Sequence, residues 1–227
     1  MEPVFLEAGT AGRASFEAWR DRNGIPGHIL DEQIRVPFAE WSERTGFPEQ
    51  LILRKGRLAS MTVLRFPTIA NALDRPQGAA IFESGHSVLL VSDQVGPEPL
   101  SHIVVAWNGI LHSTKAIFGA MLLLLAADRV TVLTTTDLGK RPGNQGLVGD
   151  TDLVDALSWH GVMARHRQLD PGPSSVDSAL LQEADDLEAT LLVMGAATSS
   201  RVSIACPGGM TEHVFRNPPA IPVLMAH

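Results

Sequence analysis

The chain has 227 residues, 44% of them apolar, which is enough for one large domain or two small ones. Eighteen Lys and Arg against 25 Asp and Glu leave a net charge of −7, which argues against a general nucleic-acid binder or membrane-surface binder. A single cysteine, Cys206, excludes an internal disulfide and fits a reducing cytoplasm. No signal peptide is read at the N-terminus, and the longest apolar run, Ala120–Ala127, is too short to span a bilayer.

In chain order, Phe16–Arg22 and Gln50–Leu58 read as helices, with Val36–Trp41 as a strand between them. Met61–Leu64 is a short apolar strand. The run Val95-Gly96-Pro97-Glu98-Pro99 is the clearest linker, because two prolines and a glycine stop regular structure. Regular α/β alternation follows it. Ile103–Trp107 reads as a buried parallel strand. Ser113 is placed to cap a helix through Ala127, with Ala116, Ile117, Ala120, Met121, Leu124 and Leu125 inward. Val130–Leu133 is the next strand, and a loop rich in Gly and Pro runs from Leu138 to Gly149. Asp150 or Thr151 caps a helix that ends at Gly161. Val162–Leu169 carries Arg165, His166 and Arg167, as an edge strand would. Ser174 or Ser175 caps a further helix, and Leu191–Met194 and Pro222–Met225 are the last strands.

Strands separated by helices require a parallel sheet with right-handed crossovers. Ligands of such sheets sit at the strand carboxyl ends, where the strand order reverses. Here those ends carry Trp107, Asn108 and Gly109, then Thr134 and Thr135, then Gly195. The first half of the chain reads as a weak repeat of the second. Met61–Leu64 matches Leu191–Met194, and Gly78–Val91 matches Thr211–Met225. Val63 then aligns with Val193 and Phe82 with Phe215. No opening strand, helix and second strand precede Phe16, so residues 1–97 read as a domain without its first unit.

Between the last two strands, Gly195 and Gly208 stand 13 positions apart, followed by Gly209 and Thr211. This stretch resembles the end of the universal stress protein domain, whose pattern is G-x2-G-x9-G-[ST] followed by x-T. Gly195 matches the first glycine and Gly208 the third. Thr198 replaces the second glycine, Gly209 stands at the small-hydroxyl position, and Thr211 matches the later threonine. The resemblance covers residues 101–227 and, more faintly, 16–95.

The resemblance implies an α/β fold: an open, parallel five-stranded sheet ordered 3-2-1-4-5, helices on both faces, Rossmann-like and similar to the adenine nucleotide alpha hydrolases. It implies a shortened copy over 1–97 and a complete one over 98–227. It also implies a cytoplasmic stress protein with a site of adenine-nucleotide type, for which ATP is the candidate ligand. Ala106, Trp107, Asn108, Thr134, Met194, Gly195, Thr198, Ser200, Arg201, Gly208, Gly209 and Thr211 are its candidate residues. Backbone N–H groups near Gly209 would hold phosphate, and Arg201 would add charge. Many relatives carry an aspartate where this chain has Asn108. An Asn-Gly pair also suits a plain turn, and Thr198 obstructs close backbone approach, so ATP is expected to bind weakly or not at all. No catalytic or metal-ligating set is read from the spacing. A regulatory or signalling module, a slow ATP hydrolase, and a structural pseudo-dimer acting through partners remain open. The final strand is expected to pair with Val88–Val91 within the chain, or else with a second molecule.

Overall fold

A computed structural model of the chain describes residues 2–27, 37–67, 76–93, 96, 100–135, 149–196 and 209–227. The chain divides into two compact units, Met1–Phe47 and Pro48–His227. In the first, α1 spans Glu2–Arg22, longer than the helix expected from Phe16. Phe16 packs its ring against those of Trp19 and Trp41. Residues 37–41 form no strand, contrary to expectation, and Val36 lies outside the described residues. Within that stretch Pro37 has no N–H to give a ladder.

The second unit is built on a seven-stranded sheet. It opens with α2 (Pro48–Gly56), β1 (Met61–Arg65), α3 (Pro76–Glu83) and β2 (Ser87–Val91). Then come β3 (His102–Ala106), α4 (Leu111–Gly119), α5 (Met121–Ala126) and β4 (Arg129–Thr135). The remainder is α6 (Asp150–Trp159), β5 (Ala164–Leu169), α7 (Val176–Asp186), β6 (Leu191–Gly195), α8 (Met210–Arg216) and β7 (Val223–Ala226).

The strand order is β1-β2-β7-β6-β3-β4-β5. Its last five strands are parallel neighbours in the 3-2-1-4-5 arrangement, with Ile103 beside Leu191 and Val130 beside Ala164. The expected five-stranded sheet is therefore part of a larger one. The extension has a simple geometry. Val63 on β1 lies opposite Leu89, Val193 on β6 lies opposite Leu224, and Leu89 lies opposite Leu224 in the antiparallel β2–β7 pair. The repeat seen in sequence thus becomes a local two-fold centred on that leucine pair. The final strand has β6 on one side and β2 on the other.

Two cores sandwich the sheet. Alternate strand residues point to opposite faces, so Val104, Leu133, Leu192, Met194, Val223 and Met225 share one core with α3, α7 and α8. Ile103, Val105, Val130, Val132, Val193 and Leu224 share the other with α4, α5 and α6. β5 closes one end as an exposed, basic edge. At the other end, Val63 is 58% exposed whereas its counterpart Val193 is fully buried. β6 has β3 beside it, and β1 has no such neighbour among the described residues.

Helix ends depart from the sequence expectation in detail. Ser113 lies inside the first turn of α4, its hydroxyl donating to the Ile110 carbonyl at 2.8 Å, and Ile110 is the cap residue. The expected single helix turns at Ala120 into α4 and α5, leaving Leu125 half-exposed rather than inward. Gly149, not Asp150 or Thr151, precedes α6, and the Asp152 carboxylate accepts its N–H. Gly161 ends that turn at a φ of 86°, where glycine avoids the steric cost of a Cβ. Ser175 caps α7, accepting from the Ser178 N–H at 3.2 Å.

Candidate functional site

The carboxyl ends of β3, β4 and β6 meet at the reversal of strand order, where open parallel sheets bind ligands. After β3, the Trp107 N–H continues the ladder to the Leu133 carbonyl at 2.9 Å. The Trp107 ring is buried in the core beneath α4 and α6, so it is closed off from the crevice. Ala106 just before it is partly buried and packs against the opposite core. Asn108 is exposed, and its side-chain oxygen accepts from the Ile110 N–H at 3.4 Å. Gly109 follows at a φ of 75°. This is an Asn-Gly turn leading into α4.

Gly195 ends β6 where no side chain would fit. A Cβ there would lie 2.5 Å from the Ser113 nitrogen and 2.8 Å from the His112 carbonyl carbon. The first turn of α4 therefore rests directly on the glycine backbone. Past Gly195, the Ala196 carbonyl accepts from His227 Nδ1 at 3.0 Å. The His227 ring stacks on His112 at 4.2 Å, with 12° between planes, and meets the edge of Phe82. Lys115 donates from Nζ to the His227 carbonyl oxygen at 2.9 Å. Burial, then the neighbouring His227 and Lys115, lower the His112 pKa and favour its neutral ring.

This His112–His227–Lys115 group was not legible as a site in the sequence. The two histidines stand 115 positions apart, and only the fold of β7 beside α4 brings them together. No sequence motif could have paired them.

Thr134 is buried on β4, its hydroxyl 2.8 Å from His166 Nε2 on the neighbouring β5. Met194 is buried in the core on the α7–α8 face. Thr211 is buried in the first turn of α8, whereas Gly209 before it is exposed at a φ of 67°. Thr198, Ser200, Arg201 and Gly208 lie outside the described residues, as does Cys206.

The described part of the crevice thus offers backbone, one amide and imidazoles. Of the two candidates for an adenine pocket, Met194 is a core residue and the Thr134 hydroxyl is bonded to His166; Trp107 is a core residue as well. These residues fit an adenine ring poorly. Among the described residues no group of three or more His, Cys, Asp or Glu could hold a metal ion.

No family model matches the chain, and no curated protein does. Solved structures do. A universal stress protein from Archaeoglobus fulgidus superposes with a TM-score of 0.62 at 16% identity, over 84% of this chain and 71% of that one. The fold is that of the universal stress proteins. A Pseudomonas aeruginosa structure provisionally assigned to the universal stress proteins matches with a TM-score of 0.52 at 14% identity, over 93% of this chain and 77% of that one. A protein of unknown function from the same species gives 0.53 at 14% identity, covering 95% and 76%. In this universal stress protein fold, Gly195 and Gly209 stand at the two ends of the segment joining β6 to α8.

Proposed function

We propose that the chain is a stress-associated regulatory or binding protein of the universal stress protein family with a degraded ATP site. It joins a shortened first copy, residues 1–97, to a complete second copy, residues 98–227. Asn108 is the observation that carries this reading. Its side chain closes its own turn, and it puts an amide where the family resemblance implies a carboxylate. Hard cations favour carboxylate oxygens, so metal-assisted phosphate chemistry loses a ligand there. That ranks slow ATP hydrolysis below binding. Thr198 in place of a family glycine and the burial of Trp107 and Met194 support the same ranking.

Nucleotide retained through purification and thermal shift with ATP test this reading. A ligand at 100 times its dissociation constant stabilises a protein by about 2.7 kcal/mol. Millimolar ATP is expected to give little or no shift in the wild type. Asn108→Asp combined with Thr198→Gly is expected to increase it. Stoichiometric ATP in the purified protein would overturn the degraded-site reading. A second reading, a structural pseudo-dimer that acts through partners, draws on the Leu89–Leu224 pairing that joins the two copies in one sheet.

A further inference from the structure

The α4–α5 arm and α6 hold between them a cleft of about 180 Å³, on the face of the sheet opposite α3, α7 and α8. Ile117, Phe118, Met121, Leu153 and Leu157 give it apolar walls. Three side chains with polar atoms also reach its lining, those of Thr114, His160 and Trp107. The Thr114 hydroxyl already donates to the Ile110 carbonyl at 3.2 Å. His160 is exposed and meets water, with its ring edge-on to Phe118 at 5.8 Å. Trp107 differs from both. It is 5% exposed, and its Nε1 is buried with no hydrogen-bond partner among the described residues.

A buried indole N–H normally has a partner, because its hydration is lost on folding and only another hydrogen bond replaces it. The Trp107 backbone N–H is tied to the Leu133 carbonyl at 2.9 Å, which roots the ring at the end of β3 among residues of α4 and α6. An apolar cavity of about 150 Å³ takes benzene, so this cleft has room for one six-membered ring with a small substituent. Its lining includes no Asp, Glu, Lys or Arg. A phosphate or carboxylate entering it would lose hydration with no fixed ion to pair with. The lining therefore selects a neutral, mainly apolar molecule, and the orphaned donor selects one that carries an acceptor.

We propose that the α4–α6 cleft is a binding site for a small, neutral aromatic carbonyl compound whose oxygen accepts the Trp107 Nε1–H. The ligand ring displaces water from Ile117, Met121, Leu153 and Leu157, and its carbonyl supplies the bond that the indole lacks. The indole nitrogen is a donor only, so a hydrocarbon of the same shape leaves it unpaired. Sites with a buried polar group reject analogues that cannot bond to it. This cleft is separate from the crevice at the ends of β3, β4 and β6, from which the Trp107 ring is closed off. It uses neither Asn108 nor the glycines of the β6–α8 segment, and the assignment does not depend on the nucleotide reading.

Isotope-edited NMR on the full chain tests it, with acetophenone as the probe and α-methylstyrene as the hydrocarbon of matching shape. The four tryptophans give four indole N–H signals, and Trp107→Phe identifies one of them. Acetophenone is expected to move the Trp107 signal downfield and to bind with a dissociation constant below about 1 mM, within reach of a fragment-sized ligand. Trp107→Phe keeps an apolar ring and removes the donor. It should weaken acetophenone roughly fivefold more than α-methylstyrene, the size of one hydrogen bond. Ala156→Phe places a ring on the cleft lining and should abolish binding of both probes. A wild type that binds no acetophenone up to about 5 mM overturns the proposal. Equal weakening of ketone and hydrocarbon in Trp107→Phe overturns it too. So does undiminished binding in Ala156→Phe, whether or not Trp107→Phe folds. Trp159 is 83% exposed, so a shift of its signal with the Trp107 signal unmoved would mean adsorption on the surface and would equally sink the assignment.

Discussion

Leu89 lies directly opposite Leu224 where the two halves of the sheet meet antiparallel. Each leucine is also held from behind by a valine of the same repeat position, Val63 and Val193. Leu224 is fully buried, and its side chain belongs to the α4–α6 core. Leu89 is only partly buried against that core. Leu224→Ala is therefore expected to cost about 3 kcal/mol, within the range for a buried leucine, and Leu89→Ala clearly less. Urea unfolding gives both values. Equal costs would mean that the two sites are equally packed and would contradict the asymmetry.

Gly195 and Gly209 should respond to substitution for different reasons. A Cβ at Gly195 meets the backbone of His112 and Ser113, which cannot yield without displacing α4. Gly195→Ala is expected to cost about 1–3 kcal/mol through overpacking. A Cβ at Gly209 meets nothing within 4 Å, but the residue sits at φ 67° and ψ −146°. Gly209→Ala is expected to cost about 1–3 kcal/mol from backbone strain alone. Hydrogen exchange separates the two. Gly195→Ala should deprotect the first turn of α4, and Gly209→Ala should not.

Acid should destabilise the protein below neutrality. Burial lowers the His102 pKa despite the Leu187 carbonyl at 2.8 Å from its Nδ1, and burial also lowers that of His112. A histidine whose folded pKa lies below its unfolded value of about 6.5 binds more protons when unfolded. Its contribution is fully present above that value and is lost as pH falls from there through the folded pKa. The urea midpoint should thus drop between pH 7 and pH 5. His112→Asn should flatten part of that drop. A midpoint constant across this window would contradict the assignment.

Met194 separates core from ligand pocket. Met194→Ala is expected to cost about 2–5 kcal/mol, as for other buried methionines, and to leave the response to ATP unchanged. Thermal shift with and without nucleotide reads both. A specific loss of an ATP response, with stability unchanged, would return Met194 to the binding site.

Ser175→Ala offers a local check on α7. It removes the acceptor for the Ser178 N–H and is expected to cost about 1 kcal/mol. Arg167, whose guanidinium pairs with the Glu183 carboxylate, would hold the later turns in place.

The sequence by itself determined the α/β alternation and the parallel strands of residues 102–226. Short, β-branched apolar runs bounded by turn residues, such as Ile103–Trp107 before Asn108-Gly109, fit strands buried on both faces. It also marked the glycine ends of the β6–α8 segment, Gly195 and Gly209. Only the tertiary structure decided which faces those elements cover. Periodicity places Leu125 and Trp107 on their elements. It does not say that the helix is interrupted at Ala120, nor that the Trp107 ring goes down into the core rather than up into the crevice. Nor could it pair His112 with His227, since long-range contacts depend on strand order and not on spacing. The pairing of the final strand with Val88–Val91, by contrast, is what the family resemblance implied, and the structure shows Leu89 opposite Leu224. Backbone groups on β2 and β7 are satisfied by each other, and no residue type records a partner 135 positions away.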